Sequence, residues 1–237
     1  MLNANLLLKF WRRLWGVTIL LLLLPERYTL VRVALVLGLF GLWLGALLIY
    51  RRYVAVKVLC AAIAVLVLAV ALLPGRPADP SAMRAAYIKS LRFYTGTPYF
   101  WGGSSKIAID CSGLVRAGMI DANLKTGVKT ANMALVRRGL SLWWHNCSAS
   151  QLDDGYGGRV AVVASALSVN EIDYNKAEPG DIIVTSTRSH TMAYLGDHEW
   201  IEADPIFGRT IVVRVPEKKN GFFLEPVDVL RWKELND

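Results

Sequence analysis

The sequence predicts an α+β domain preceded by transmembrane helices, and three features of the 237-residue chain support this prediction. Long apolar runs lie near the N-terminus. Helical patterns follow these runs, and short segments rich in β-branched and aromatic residues occupy the last third. Because helices come first and strands after, a helical layer and an antiparallel sheet are expected within one soluble domain.

Two apolar runs are long enough to form transmembrane helices. Residues 30–50 contain a single charge, Arg32, and residues 58–73 contain none. Each run approaches the roughly 20 residues that cross a bilayer. A third run, residues 14–24, is shorter, and Pro25 is expected to stop it. No small-residue cleavage site follows, so we interpret the segment as an uncleaved anchor with two or three transmembrane helices.

Charge separates the membrane part from the soluble part. Residues 1–77 hold nine Lys or Arg and one Glu, whereas residues 78–237 hold eighteen residues of each sign, so the net charge of +8 lies in the N-terminal part. The basic residues flank the apolar runs, which argues against a nucleic-acid-binding surface. With three spans, the positive-inside rule places the C-terminal domain outside the cytoplasm. With two spans, both ends would share one side and the charges would barely decide the orientation.

The soluble domain is expected to begin near residue 81. Residues 1–73 form the predicted anchor, the Pro-rich segment 74–80 is a predicted linker, and residues 81–237 form the predicted soluble domain. Ser81 is the predicted N-cap of a helix that ends by about Tyr94. Four residues are spaced to form one apolar face of this helix: Met83, Ala86, Tyr87 and Leu91.

A second helix is predicted from residue 111 to about 122, with Asp110 as its N-cap. The following region has a mixed pattern, with a short helix near 132–138 and a loop rich in Gly and Asp at 153–158. Four segments of the last third are predicted strands of an antiparallel sheet. These segments are DIIVTS (181–186), HTMAYL (190–195), EWIEAD (199–204) and RTIVVRV (209–215).

The stretch TPYFWGGSSKIAIDCSGLVRAGM, residues 97–119, places Cys111 in the first turn of a helix after a Gly-rich loop. A helix N-terminus favours a thiolate, and its free N–H groups can hold the oxyanion that forms when sulfur attacks a carbonyl carbon. A thiolate nucleophile also needs a base. His190 begins a predicted strand that can hold its ring against this helix, whereas His198 lies in a predicted turn.

The orienting partner of His190 must share its face of the sheet, and Glu202 and Asp204 are the candidates. If a three-residue loop, 196–198, joins the two strands, Glu202 lies opposite Met192 and is a diagonal neighbour of His190. A loop with an even number of residues would reverse this parity.

Four segments in this order, GTPYFWGG, DCSG, PGDIIV and HTMAYLGDHEWIEA, resemble the NlpC-type papain-like cysteine peptidases of bacterial cell walls. The resemblance covers roughly residues 85–215. It implies a papain-like domain, in which a helix that bears the nucleophile packs on an antiparallel sheet. It also implies a cysteine endopeptidase or amidase with Cys111 as nucleophile, His190 as base and Glu202 in the position of the third, polar residue. That residue is commonly His, Asn or Gln, so a carboxylate here should stabilise the imidazolium more strongly.

The resemblance also implies a substrate and a location. Tyr99, Asp110 and Ser112 match positions that engage the free amine of a peptidoglycan stem peptide in similar enzymes, and Trp101 is a further candidate for substrate contact. Both aromatic residues could equally belong to the core. The family reaction is hydrolysis between D-glutamate and a diamino acid. Stem peptides and the lipid bilayer are thus the expected partners, at the bacterial inner membrane with the catalytic domain on the periplasmic or extracellular side.

One departure from the family is length, because 78 residues separate Cys111 from His190. An insert at about residues 123–170 is expected to account for it. The insert contains Trp143, Trp144, His145 and Cys147, which either line a substrate groove or pack a subdomain. No second ligand pair accompanies His145 and Cys147, so no metal or other cofactor is expected. A disulfide between Cys111 and Cys147 would consume the nucleophile, and free thiols are expected.

Two other functions fit these residues. A thiol-dependent acyltransferase or an amidase acting on another substrate would also suit a membrane location. A non-catalytic wall-binding module would keep the fold without turnover, although the presence of both Cys111 and His190 argues against it. A buried cysteine alone is often only a small hydrophobic residue, and the flanking motif is what favours catalysis.

Overall fold

The computed structural model describes residues 4–24 and 28–236, which form seven α-helices and six β-strands. The helices are α1 (Ala4–Leu23), α2 (Thr29–Ile49), α3 (Val54–Leu72), α4 (Pro80–Phe93), α5 (Cys111–Lys129), α6 (Met133–Trp144) and α7 (Ala149–Asp153). The strands are β1 (Val160–Ala166), β2 (Ile182–Thr185), β3 (Thr191–Gly196), β4 (Glu199–Asp204), β5 (Arg209–Arg214) and β6 (Val227–Trp232).

Helices α2 and α3 are long and apolar enough to cross a membrane, judged by length and composition. They contain 21 and 19 residues. At about 1.5 Å per residue their lengths are roughly 31 and 28 Å, close to the roughly 30 Å hydrocarbon core of a bilayer. The apolar side chains of α3 are mostly exposed in the isolated chain. Pro25, which was expected to end the first apolar run, lies outside the described residues.

Helix α1 packs antiparallel against a face of α2 that carries glycines. Trp11 contacts Gly45, Leu14 contacts Gly41, and Thr18 contacts Gly38. The indole Nε1 of Trp11 donates a hydrogen bond to the backbone oxygen of Leu42 over 3.0 Å. Small residues let two helix backbones approach closely. The basic half of α1 therefore lies beside the C-terminal end of α2.

Helix α4 follows the two long apolar helices, and its N-cap is Asp79 and not the predicted Ser81. The Asp79 carboxylate accepts a hydrogen bond from the Ser81 backbone N–H (3.0 Å), and Pro80 occupies the first helical position, where a missing N–H costs nothing. The predicted apolar face is confirmed. Its residues Met83, Tyr87 and Leu91 are buried, and Ala86 packs against the same core.

Helices α5 and α6 are longer than the sequence pattern predicts. Helix α5 begins at Cys111 behind its predicted N-cap Asp110 but runs seven residues past residue 122. The predicted short helix near 132–138 is α6, which ends at Trp144. Glycines at the contact between the two helices, Gly127 and Gly139, let them pack closely and so extend both.

The predicted α+β fold is confirmed, with one six-stranded antiparallel sheet in the order β1-β6-β2-β3-β4-β5. The four predicted strands correspond to β2, β3, β4 and β5. Strands β1 and β6 were not predicted, and β1 lies within the expected insert. Side chains alternate between the two faces of the sheet. Ala193 and Leu195 of β3 join the core under α4 and α5, whereas Met192 and Tyr194 join a second cluster on the opposite face.

The β3–β4 hairpin has a turn of two residues, one fewer than predicted. A β-bulge in β3 adds one residue, so the total number of residues between the paired positions is as predicted. Gly196 pairs with Glu199 across the turn, but Tyr194 pairs with Trp200, so Leu195 is the extra residue. Asp197 and His198 both have positive φ, as such tight turns require. The parity predicted for Glu202 is therefore correct, although the loop length was wrong.

Candidate active site

Cys111 occupies the first position of α5 at the bottom of a Gly-rich loop, and 6% of its surface is exposed. The loop folds back onto the helix start because the Asp110 N–H donates to the Gly103 oxygen (3.1 Å). A Cβ at Gly103 would collide with the backbone oxygens of Phe100 and Ala108. Only glycine permits this close approach. The loop therefore fixes the thiol at the helix N-terminus.

The Asp110 carboxylate organises the same helix start. It accepts hydrogen bonds from Gly113 N (2.5 Å), Gly102 N (2.8 Å) and Ser112 Oγ (3.1 Å). An ionised carboxylate offers about four acceptor positions, so about one remains for a ligand. Burial raises the pKa of Asp110, and the three hydrogen bonds oppose this rise.

His190 directly precedes β3, at the end of the sheet that faces the start of α5. Its ring is 2% exposed and is hydrogen-bonded to Cys111 and to Glu202. Nε2 donates to Glu202 Oε2 over 2.7 Å. The ring of Phe222 stacks on the imidazole with 3.9 Å between centroids and 12° between planes. The imidazole is thus held on its face by Phe222 and at Nε2 by Glu202.

The surroundings of His190 favour its charged form. Burial alone would lower the pKa of the imidazole, but the hydrogen bonds and charges of Cys111 and Glu202 outweigh it and raise that pKa to about 9. Burial raises the pKa of Glu202, and the hydrogen bonds from His190 and Asn220 oppose that rise. The three side chains can therefore hold a proton on the imidazole at neutral pH.

Of the two carboxylates considered as partners of His190, Glu202 is the one in contact. Asp204 instead accepts hydrogen bonds from the backbone N–H groups of Ile206 and Phe207, at 2.5 and 2.9 Å, and so fixes the turn after β4. Asn220 links the two carboxylates: its Nδ2 donates to Glu202 Oε1 (2.7 Å) and to Asp204 Oδ2 (3.1 Å). Both carboxylates are fully buried, and this amide gives each of them a hydrogen bond in addition to those from His190 and from the turn after β4.

Cys111 opens into a cavity of about 380 Å³. Three of the four predicted substrate contacts, Trp101, Asp110 and Ser112, line this cavity, whereas Tyr99 does not. Tyr99 packs against the main core, and burial raises the pKa of its phenol to about 12. Other groups in the cavity wall were not predicted from sequence. They include Tyr28, Arg116, Gln151 and Arg188.

Cys147 of the expected insert lines the cavity, whereas His145 of the same insert does not. The single proton of the Ser112 hydroxyl is shared between Asp110 Oδ1 (3.1 Å) and the Cys147 backbone oxygen (3.0 Å), and the second contact ties the insert to the start of α5. Burial raises the pKa of the Cys147 thiol to about 12, so it remains protonated at neutral pH. Cys60, Cys111 and Cys147 are all free thiols. His145 lies outside the cavity and contacts the Ser141 carbonyl through Nδ1 over 2.8 Å.

Within residues 4–24 and 28–236, no group of three or more His, Cys, Asp or Glu side chains is arranged to hold a metal ion.

The model of the NlpC/P60 family matches residues 96–220, more than half of the chain. The fold is also similar to solved structures. NlpC1 from Trichomonas vaginalis is 16% identical, with 67% of this chain and 46% of that chain covered and a TM-score of 0.43. An NlpC/P60 family protein from Bacillus cereus is 16% identical over 63% and 40% of the two chains, with a TM-score of 0.42. The peptidoglycan hydrolase RipB from Mycobacterium tuberculosis is 20% identical over 67% and 69%, with a TM-score of 0.39.

The chain spans less than half the length of the first two of these structures. Among curated proteins, none matches this sequence.

Proposed function

Because the chain belongs to the NlpC/P60 family, we propose that it is a membrane-anchored cysteine hydrolase that cuts amide bonds in peptidoglycan stem peptides. The family match supports the predicted class of enzyme. The observation that carries the proposal is the buried contact series from Cys111 through His190 to Glu202, with 2.7 Å between the last two. These residues are our candidates for nucleophile, base and orienting group.

In the proposed reaction, the Cys111 thiolate attacks the carbonyl carbon of the amide, a C–S bond forms, and the carbonyl π electrons move to oxygen. Collapse of this tetrahedral intermediate breaks the C–N bond, and His190 donates its proton to the leaving amine. His190 then takes a proton from water, which attacks the thioester and releases the acid. Glu202 holds the imidazole in orientation and stabilises its charge throughout.

The start of α5 supplies the donors for the oxyanion. The first N–H groups of a helix have no partner within the helix, and Asp110 accepts that of Gly113. We assign the backbone N–H groups of Cys111 and Ser112 to the oxyanion, aided by the positive end of the helix dipole. No side chain has to move to form this site.

Asp110 and Ser112 also support the proposed bond specificity. They lie in the wall of the cavity beside Cys111, and Asp110 retains about one acceptor position. A substrate ammonium bound there would form a charge-assisted hydrogen bond. We therefore propose a stem peptide with a free N-terminal amine, cut between D-glutamate and the diamino acid. Trp101 is the proposed apolar contact at the rim, and Tyr99 supports the loop from within the core.

We propose that residues 1–73 anchor the enzyme through three helices. Packing of α1 antiparallel to α2 supports a third span, because it puts Lys9 and Arg12 at the same end as the loop with Arg51 and Arg52. The catalytic domain contacts the opposite end. Under the positive-inside rule the basic end is cytoplasmic and the catalytic domain lies outside. Reporter fusions to the C-terminus test this topology, and a cytoplasmic C-terminus would contradict it.

The activity is tested by mass spectrometry of defined muropeptides incubated with the full chain in nanodiscs. We expect a mass gain of one water and two fragments that identify the bond, and no product with Cys111→Ala. The variant Cys147→Ala is the matched control, because it also removes a thiol from the cavity wall. Acyl transfer to an added amine in place of hydrolysis would instead favour a thiol-dependent acyltransferase. Binding of intact muropeptides without turnover would favour a wall-binding module.

A further inference from the structure

The segment between α3 and α4 is packed against the catalytic domain and is not a free tether. The backbone of Arg76 exchanges two hydrogen bonds with the Asn132 side chain, at 3.2 and 2.9 Å. Gly75 lies against Ala134 so closely that a Cβ would collide with it. Arg137 of α6 donates to the backbone oxygens of Val70 and Leu73, at 2.7 and 2.8 Å. The C-terminal end of α3 is therefore capped by the soluble domain.

The N-terminal end of α2 is joined to the same domain. Arg32, one turn into α2, is fully buried and donates to the Trp144 backbone oxygen over 2.8 Å. Its guanidinium also lies 5.8 Å from the Trp143 ring centroid. Two antiparallel helices are thus attached to α6 at their adjacent ends. These attachments fix the height and tilt of the catalytic domain relative to the anchor.

Tyr28, the residue before α2, forms part of the wall of the cavity that holds Cys111. Because α2 is about 31 Å long, its two ends coincide with the two boundaries of the hydrocarbon core. The cavity that includes Tyr28 therefore opens at the membrane surface. If the cavity opened on a side of the domain far from the membrane, Tyr28, which directly precedes α2, would not line it.

Aromatic side chains near the cavity suit this position. Trp101 is 73% exposed at the cavity rim, and Tyr28 is about half exposed on another part of its wall. Tyrosine and tryptophan are enriched at the boundary between hydrocarbon and water. Trp144 is also exposed, beside the Arg32 contact. The membrane-facing side of the domain thus carries amphipathic aromatic groups around the entrance to the site.

We infer that the substrate of this site is a stem peptide that is itself attached to a membrane lipid. This inference rests on the proposed function, which supplies the peptide chemistry. The contacts of α6 with α2 and α3 place the cavity at the level of the lipid headgroups. A peptide attached to a lipid is confined to the same thin layer. Confinement raises the effective concentration of such a substrate without any additional contact. Peptides in the distant wall do not reach a domain held in this way.

The test uses the full chain in lipid vesicles with two forms of one disaccharide–peptide, one free in solution and one attached to a polyprenyl diphosphate in the same vesicles. At equal total concentration we expect the lipid-attached form to be cut at least about ten times faster. The double variant Arg32→Leu/Arg137→Leu removes the arginine contacts that join α6 to α2 and α3. It should lose most of this preference and still cut the free form at the wild-type rate. The matched control is Arg138→Leu/Arg209→Leu, which removes two exposed arginines outside these contacts.

The outcomes separate the two proposals. Equal or faster cutting of the free form by the wild type would overturn the inference and leave the hydrolase intact. A preference that survives the double variant would also overturn it, because the arginine contacts that hold α2 and α3 against α6 would then have no part. If the wild type cuts neither form, the proposed function itself fails. Circular dichroism of both double variants shows that the comparison is made between folded proteins.

Discussion

Replacing Glu202 by glutamine tests the role of the carboxylate with almost no change in shape. In the wild type, Oε2 accepts from His190 Nε2 and Oε1 accepts from Asn220 Nδ2, each over 2.7 Å. A glutamine amide has one acceptor and one donor. If its oxygen faces His190, its NH₂ faces the Asn220 amide donor, and the opposite flip places NH₂ against the imidazole N–H. One of the two hydrogen bonds is therefore lost in either orientation.

The size of the effect follows from the lost charge. A hydrogen bond to a charged group contributes about 1.5–3 kcal/mol, which corresponds to a decrease in kcat/KM of about ten- to 150-fold. In the proposed reaction the leaving amine takes its proton from His190, and the pKa of this imidazole is raised to about 9 partly by Glu202. Without the carboxylate this pKa falls. The alkaline limb of the kcat/KM profile should consequently move about one to two pH units lower.

The assay is the pH dependence of kcat/KM on one defined muropeptide, for the full chain in nanodiscs. Asp204→Asn is the matched control, because Asp204 is an equally buried carboxylate bound to Asn220 but does not contact the imidazole. We expect this control to keep the wild-type alkaline limb. The reasoning would be refuted if Glu202→Gln kept both its rate and its alkaline limb, or if the two variants behaved alike.

Four further results are expected. Asn220→Ala leaves two buried carboxylates without their shared donor, so kcat/KM should fall about tenfold; an unchanged rate would exclude a positioning role. Cys147→Ser should keep activity within about twofold, because the pKa of the Cys147 thiol is raised to about 12 by burial and the thiol stays protonated. Gly45→Leu should reduce disulfide cross-linking between cysteines introduced into α1 and α2, because the leucine side chain would collide with the Trp11 ring. Gly16→Leu should leave the cross-linking unchanged, because its side chain meets open space. The contribution of His190 to the free energy of unfolding should be complete below about pH 6.5 and be lost as pH rises through about 9, because the folded-state pKa of His190 is raised. The difference between the wild type and His190→Gln in urea titrations across this range measures that loss.

The sequence predicts well the features that depend on neighbouring residues. Asp110 lies directly before the helix it caps, and Cys111 follows it, so the pattern DCSG is enough to place both. The start of α4 is harder, because Asp79 and Ser81 are both good N-cap residues two positions apart. Pro80 between them indicates the outcome, since proline favours the first helical position. The N-cap is therefore Asp79.

Features that depend on distant pairing are not predictable in this way. Strand β1 pairs with β6, and Val160 lies opposite Trp232, which is 72 positions further along the chain. The local sequence of neither strand indicates which strand it pairs with. Asn220 has an ordinary local reason to be present, because its side chain accepts the Phe222 N–H in a short turn. Its bonds to Glu202 and Asp204 become visible only after the chain has folded.

The contact between the proposed anchor and the candidate active site is another feature that depends on residues far apart in the sequence. Tyr28 appears in the sequence as an unremarkable residue before an apolar helix. It reaches the cavity of Cys111, 83 positions later, only because α6 connects α2 and α3 to the catalytic domain. Hydropathy predicts the helices but not the height at which the domain is held above them.

The bulge at Leu195 constrains how the hairpin between β3 and β4 can change by insertion and deletion. Because successive residues of a strand face opposite sides, loss or gain of one residue there would turn Glu202 away from His190 while leaving every amino acid of the site in place. The identities of Asp197 and His198 are free to vary among residues that tolerate positive φ. Their number is not. In this hairpin, the number of residues decides whether Glu202 can reach His190.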